Sequence, residues 1–334
     1  MKNQILRSQI VNLIRTFFLD QGFLEVETPL LVSSPDPSCF NEVFETSLDD
    51  KQKAYLAPSP EFFMKKILVK NPVNIFQICK AFRNPQETDP LHNSEFTILE
   101  WYRTKATYTD LMRDCENLVD NLFKQIFPKK QNKLKKVLKY QDHPIDLSTP
   151  WTRVTIKELF KKYAKIDLNE FLDLKKAKKI AQQKGYRVEL ETRWEQFYHQ
   201  IFLNEIEPKL PKSKPFFLYD YPYQLAEGAK LKEGNQLYAE RFELYLGGLE
   251  IANGYSELTD WKQQEKRLKQ HLKQRKSLKM KVFDYDRDFI NCLKRGLPQT
   301  AGIALGVDRL IMLFTNARTI QEVIHFPTSE IFKK

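Results

Sequence analysis

The sequence predicts an α+β protein, a mostly antiparallel sheet flanked by helices, and three observations support that prediction. Long β-branched and aromatic runs recur without the regular βαβ alternation of a parallel sheet. Hydrophobic residues fill 42% of the 334 positions and charged residues 29%, enough for a large core and too apolar for a disordered chain. Glycine is scarce, at 10 residues, and neither G-x-x-x-x-G-K-[ST] nor G-x-G-x-x-G occurs, which excludes a P-loop or dinucleotide turn.

Residues 3 to 20 place Leu6, Ile10, Leu13, Ile14 and Phe17 at helical spacing, with Gly22 where a left-handed C-cap belongs. An extended piece, Phe23 to Thr28, follows and ends at Pro29. This helix begins almost at residue 1, so the expectation is one catalytic-size domain over residues 1–334 with no N-terminal accessory domain. Residues 73–82 (VNIFQICKAF) and 95–102 (EFTILEWY) read as two antiparallel strands joined by the polar loop Arg83 to Ser94. Alternation puts Phe96, Ile98, Glu100 and Tyr102 on one face of the second strand, and a carboxylate among aromatics on a buried face calls for a partner.

Residues 104–127 read as a helix, the lysine run 129–139 as a solvated helix face or connector, and residues 150–215 as Lys-rich helices without a motif. Strand pattern returns at Arg241 and runs through Leu258; a basic helix over 260–280 follows. The last strand-like run ends in Gly302-Ile303-Ala304-Leu305-Gly306 and feeds a helix from Val307 that carries Asp308 and Arg309.

Net charge is +11, from 54 Lys+Arg against 43 Asp+Glu. The basic helix (Lys262, Lys266, Arg267, Lys269, Lys273, Arg275, Lys276, Lys279, Lys281) and the 129–139 run either steer an acidic protein partner or are solvated helix faces. Cys39, Cys79, Cys115 and Cys292 are dispersed without a C-x-x-C, so neither a disulfide framework nor a zinc site is expected, and the pattern suits a reducing cytoplasm. No run reads as a signal peptide or membrane span; Arg7, Arg15, Asp308 and Arg309 interrupt the most apolar stretches.

Three segments need a joint explanation: Phe82-Arg83 with His92, Asn93, Phe96 and Glu100; Glu250 and Glu257 in EIANGYSE; and Gly306-Val307-Asp308-Arg309. Singly each has a plain reading, as a surface arginine, a hairpin flanked by acids, or an ordinary helix start. Together, GFLEVETPLL, FQICKAFRN…HNSEFTILEWY and GIALGVDRLIMLF resemble motifs 1, 2 and 3 of class II aminoacyl-tRNA synthetases, over about residues 3–31, 73–103 and 300–315. SPEFFMKKIL and EIANGYSEL are most similar to the lysyl branch. LEWYR, ANGYSELTD and Ala304, where synthetases usually have glycine in the pocket floor, look like its truncated relatives, the ligases that place (R)-β-lysine on elongation factor P.

That resemblance implies a two-step reaction. ATP and a lysine isomer form an aminoacyl-adenylate, and the acyl group passes to the ε-amino group of one lysine on elongation factor P. It implies a cytoplasmic homodimer built through motif 1, with no membrane association and no stable tRNA binding. Arg83 would bind the α-phosphate, Asn84, Pro85, His92 and Asn93 would hold the nucleotide, and Phe96 would stack on adenine. Arg309 would cover the other adenine face, Gly306 would allow close approach, and Glu250 and Glu257, with the backbone of Ile251, would carry Mg²⁺ on the phosphates. Arg83, Glu250, Glu257 and Arg309 would thus be catalytic. Ser59, Pro60, Glu61, Glu100, Tyr102, Glu257 and Ala304 would form the amino-acid pocket, its carboxylates meeting two ammonium groups. Pro85 stands where the family has a glutamate that contacts adenine, which implies weaker ATP affinity. Two other readings stay open: a lysyl-adenylate former serving another acceptor, and a catalytically weak regulatory paralogue.

Overall fold

The computed structural model describes residues 1–38, 42–49, 51–84, 89–130, 136–189 and 192–332. The expectations for Pro85, for Cys39 and for the centre of the 129–139 run fall outside these residues. The first helix, Lys2–Asp20, buries Ile10, Ile14 and Phe18, and Gly22 turns the chain at φ 75°.

In chain order the strands are β1 (Leu24–Glu25), β2 (Leu31–Val32), β3 (Glu45–Leu48), β4 (Gln52–Leu56), β5 (Ile75–Phe82), β6 (Glu95–Thr104) and β7 (Val137–Tyr140). They continue with β8 (His143–Asp146), β9 (Thr152–Thr155), β10 (Phe216–Pro222), β11 (Leu231–Lys232), β12 (Asn235–Leu246), β13 (Leu249–Ser256) and β14 (Thr300–Gly306). Nine of them form one sheet in the order β1-β5-β6-β14-β13-β12-β10-β9, with β11 paired to β12. Its central pairs are antiparallel, as expected. Only the outer pairs β1–β5 and β9–β10 are parallel, so the sheet is mixed at its edges.

Alternation along the central strands divides core from cleft. Leu99, Trp101, Phe242, Leu244, Ile303 and Leu305 point into a core covered by the helices Lys2–Asp20, Tyr108–Ile126 and Val307–Thr315. Each such large side chain contributes about 1.5–3 kcal/mol by leaving water. Glu100, Tyr102, Arg241, Glu243, Gly302 and Ala304 alternate with them and line the opposite, hollow face. Helices within residues 156–183 and 194–206 contribute Phe160, Phe171, Trp194 and Phe197 to a second core against Phe216 and Leu218 of β10.

Several sequence expectations are corrected. The 104–127 helix begins at Tyr108, because β6 runs on to Thr104 and Thr107 with Asp110 forms a capping box. The end of the lysine run is strand β7, paired with β8 rather than a helix face or connector; Leu138 and Ile145 are buried by the hairpin. The strand read from Arg241 begins at Asn235. The basic helix spans Trp261–Ser277, so Lys279 and Lys281 lie beyond its end, and two of the seven cations it carries, Arg267 and Arg275, are not solvent-facing. Arg275 is 0% exposed and donates to the carbonyls of Ser38 and Lys281, while Arg267 donates to those of Glu227 and Ala229. No helix among the described residues is long and apolar enough to cross a membrane, and Cys79, Cys115 and Cys292 are free thiols.

Candidate active site

The hollow face of the sheet forms a cavity of about 390 Å³ between β6, β14, β13 and β12, the helix Glu61–Lys70 and the helical second core. One end is an acidic pocket. Phe62 stacks on Phe289 at 4.2 Å between ring centroids, anchoring the helix Glu61–Lys70, and the i,i+4 spacing of Glu61 and Lys65 turns both side chains to the cavity side. Just before this helix, Ser59 Oγ accepts from the Glu61 N–H (3.0 Å) and donates to Glu100 Oε1 (2.5 Å). Tyr102 OH donates to Glu100 Oε2 (3.3 Å), and Tyr255 OH donates to Glu61 Oε1 (2.8 Å).

Glu100 and Glu257 are each 2% exposed. Burial, reinforced by Glu61, pushes the Glu100 carboxyl up to about 8, with only Ser59, Lys65 and Arg83 drawing it back. Burial also raises Glu257, and Lys65 opposes that rise from 2.6 Å. An ionised group in such surroundings needs a cation, and the Ser59 and Tyr102 hydroxyls bonded to Glu100 do not supply one. Ala304 sits directly across from Glu100 in the β14–β6 register, so its methyl group shapes the pocket floor beside the carboxylate.

Gly302 shows how tightly the pocket is built. A Cβ there would lie 2.3 Å from Tyr102 Cε1 and 2.4 Å from Glu257 Oε1. On the binding roles that the motif resemblance implies, Gly302→Ala is expected to displace both side chains and weaken amine-ligand binding roughly tenfold or more, with a smaller effect on nucleotide binding. Calorimetric titration of the variant with lysine and, separately, with ATP checks this; equal losses for both ligands would count against it.

At the other end two arginines converge. Arg83, at the end of β5, lies 5.2 Å from the Phe96 ring centroid, so it covers a face of the ring that the motif resemblance gives to adenine. Arg83 is exposed at the cleft, where loss of water around the guanidinium lowers it from the ordinary value while Glu100 and Glu250 counter that shift. Arg309 Nη1 donates to the carbonyl of Glu250 (2.8 Å) and Nη2 to His92 Nε2 (2.6 Å). An accepting Nε2 leaves the proton on Nδ1, which donates to Asp89 Oδ2 (2.5 Å). Arg309 is placed by its neighbour Asp308, which is buried and takes hydrogen bonds from the Thr97 N–H (2.7 Å) and Arg7 (2.5 Å).

Other predicted site residues are placed differently. Asn93 uses its side chain on the loop itself, donating to the Glu95 carbonyl and accepting from the Thr328 N–H. The Asn84 N–H is taken by the Glu42 carbonyl, and Pro60 is the N-cap residue of the helix that carries Glu61. Ile251 is buried in the main core. No protein atom crowds Gly306: a Cβ there would meet its nearest neighbour, the Ile251 carbonyl, at an ordinary 3.8 Å.

The expected metal pair is corrected. Glu250 and Glu257 are not brought together: seven residues of extended chain separate them by about 20 Å, and Glu257 is engaged by Lys65 in the acidic pocket. The carboxylate near Glu250 is Glu243, on the paired strand β12. Loss of water around Glu250 at the cleft rim, and the charge of Glu243, push the Glu250 carboxyl up to about 7. Arg241 fixes Glu243 with a 2.8 Å bond and lies over Tyr221 at 4.5 Å. Two mutually repelling carboxylates fit a hard divalent cation, and no larger cluster of ligating side chains occurs among the described residues. Such a pair suits an ion arriving with phosphates.

Lys65, Arg241, Glu243, Tyr255 and Asp36 are cavity or pocket residues that the motifs did not single out. One signal was present: Glu243 precedes Glu250 by the same seven residues by which Glu250 precedes Glu257.

Residues 1–330 match the family described as tRNA synthetases class II (D, K and N). The chain is 35% identical over 331 residues to a lysine–tRNA ligase of Buchnera aphidicola subsp. Schizaphis graminum, covering 98% of this chain and 64% of that protein. A lysine–tRNA ligase of Shewanella amazonensis is 35% identical over 333 residues, covering 96% and 64%. One from Buchnera aphidicola subsp. Cinara cedri is 37% identical over 327 residues, covering 96% and 62%. The chain thus spans a little under two thirds of the length of these curated relatives.

Proposed function

The chain belongs to the class II tRNA synthetases of the D, K and N group, and from that membership we propose that it activates a lysine isomer with ATP. The substrate carboxylate attacks the α-phosphorus, the bond to the bridging oxygen breaks, pyrophosphate leaves, and an aminoacyl-adenylate forms. The observation that carries the reading is a cavity lined by Glu61 and Glu100, with Glu257 packed against Lys65 and Gly302 at its wall, whose other end holds Arg83.

In this reading the pocket takes the two ammonium groups of the substrate. A neutral analogue would leave Glu100 unpaired, which is the basis of rejection. Arg83 presents a fork of donors to the α-phosphate and to charge that builds in the transition state. Arg309, held by His92 and the Glu250 carbonyl, faces the nucleotide from the start of its helix. Glu243 and Glu250 would hold Mg²⁺, which when bound neutralises phosphate charge. The attacking carboxylate is already ionised, so no protein base is needed and the chain acts by positioning and charge neutralisation.

The raised Glu100 carboxyl makes a pH prediction. Below about 8 it holds a proton in the empty pocket. An ammonium ligand favours the carboxylate, so binding expels that proton and affinity rises with pH from 6 towards 8, by up to about tenfold per unit for one proton. Calorimetry in two buffers of different ionisation enthalpy reads the proton release directly. Affinity that is flat over this range would contradict the assignment.

For the acceptor, we favour a lysine ε-amine of elongation factor P, with (R)-β-lysine as the activated acid. The motif variants LEWYR and ANGYSELTD and the Ala304 methyl beside Glu100 support it; a methyl-sized change in such a pocket shifts selectivity by about 1–3 kcal/mol. The named activity of the relatives favours tRNA as the alternative acceptor. Mass spectrometry of elongation factor P after incubation with enzyme, ATP and β-lysine, with tRNA as a parallel acceptor, separates them. The reading includes a cytoplasmic homodimer built through the first helix, whose Ile5 and Leu19 are exposed.

A further inference from the structure

We propose that Lys65 is an internal counter-cation that sets the charge of the amine pocket, so that the site demands two ammonium groups rather than three or one. The inference rests on the amine-pocket reading above and names the residue that determines its specificity.

Lys65 is itself 2% exposed. Its Nζ lies 2.5 Å from Glu61 Oε1 and 2.6 Å from Glu257 Oε2, and it sits 5.4 Å from the Tyr255 ring centroid. A lysine is rarely so buried unless its charge is matched, and here two carboxylates match it. Burial works against the charge, but the fields of Glu257 and Glu61 and their hydrogen bonds to Nζ outweigh it and hold the ammonium above the ordinary lysine range, so it stays charged. The Lys65 ammonium is donated by the protein to an acidic pocket that otherwise needs cations from the ligand.

The charge ledger follows from these contacts. Glu61, Glu100 and Glu257 carry three negative charges when ionised, and Lys65 removes one. A ligand with two ammonium groups then brings the buried cluster to neutrality, while its carboxylate is left for Arg83. Without Lys65 the same pocket would require a third cation. With Lys65 but without one of the acids, a monoamine would suffice. Low-dielectric surroundings make such an imbalance expensive, since each uncompensated charge costs far more there than in water. Other charged groups face the cluster from neighbouring elements: Asp36 from the loop after β2, Glu227 from the segment before β11, and Arg83 from the end of β5. Asp36 feels Glu61 and, more weakly, Lys65, Glu227 is paired with Arg241, and Arg83 acts on Glu100 from the arginine end; none of the three is an ion-pair partner of Lys65.

The ledger makes a prediction that a merely structural lysine does not. Glu257→Gln leaves the bound cluster one charge too positive, and Lys65→Met leaves it one too negative. The double variant K65M/E257Q, retaining Glu61 and Glu100, returns it to neutrality. Calorimetric Kd values for L-lysine and (R)-β-lysine are measured on the full chain for the wild type, both single variants and the double variant, with ATP affinity as the control. Each single variant is expected to bind the better of the two isomers at least roughly tenfold more weakly. The double variant is expected to bind it roughly tenfold more tightly than E257Q, at unchanged ATP affinity. E257Q is also expected to narrow the preference for lysine over norleucine, which carries a single ammonium.

If K65M alone fails to fold, the comparison of E257Q with the double variant still decides the question. A double variant that binds no more tightly than E257Q overturns the counter-cation role. A wild-type protein that binds neither lysine isomer overturns the amine-pocket reading, and this inference with it.

Discussion

Replacing Arg83 with alanine is expected to slow lysine-dependent exchange of pyrophosphate into ATP by about two to three orders of magnitude, the loss typical of a preorganised donor aimed at developing charge. Arg83 stands at the end of β5, where its N–H is fixed by the Ser94 carbonyl at 2.9 Å and its guanidinium is flanked by the fields of Glu100 and Glu250. The contact with Phe96 contributes only ~0.5–1 kcal/mol, so the fold should tolerate the change. Arg83→Lys should recover little, because an ammonium lacks the planar fork. Lysine affinity in the absence of ATP should change much less than the exchange rate. An Arg83→Ala protein that is folded and exchanges within about fivefold of the wild type would remove Arg83 from the chemistry.

Glu100→Gln is the second large effect, and it acts in two opposite directions. Binding of a diammonium ligand should weaken roughly 10²-fold or more, the usual consequence of truncating one partner of a buried charge pair. Stability should not fall with it. Because burial raises the Glu100 carboxyl to about 8, the folded state holds that proton more tightly than the unfolded chain does. Its contribution to stability is therefore lost as pH rises from the ordinary carboxylate range through about 8. Glutamine cannot ionise, so the variant should lose this pH dependence and be the more stable protein at pH 9. Thermal unfolding from pH 6 to 9 tests this part. A variant that loses both binding and stability in parallel would mark Glu100 as structural.

Much of the site was legible from local pattern. Alternation in EFTILEWY put Glu100 and Tyr102 on one face, and they line the cavity while Leu99 and Trp101 enter the core. The segment GIALG likewise sends Ile303 and Leu305 inward and Gly302 and Ala304 to the pocket. Arg83 follows the end of β5 and Arg309 stands in the first turn of its helix, where the strand and helix patterns put them, and the sheet is the largely antiparallel one the strand pattern predicts.

The metal pair was not legible, for a physical reason. Periodicity reports which way a side chain points, but not which residue of another strand stands beside it. The pairing of β12 with β13 shifts register between Leu244 and Tyr245, and the hairpin brings Glu243 near Glu250, whereas Glu257 lies past the far end of β13. Lys65 escaped for a similar reason. On its own helix it is an ordinary i,i+4 partner of Glu61, and only the tertiary approach of Glu257 makes it a buried charge. Arg267 and Arg275 were read with the lysines around them, yet the helix turns them towards backbone carbonyls of the neighbouring loops. Composition cannot separate an arginine that docks a loop from a lysine that meets solvent.

In the proposed function the acidic pocket and the arginine end of the cavity work on one substrate, an amino acid with two ammonium groups, and join it to AMP. Pyrophosphate exchange into ATP, measured with lysine, (R)-β-lysine and norleucine as sole amino acids, tests it most directly. The expected result is exchange that depends on a lysine isomer and is absent with norleucine. No exchange with either isomer, or equal exchange with norleucine, would contradict it.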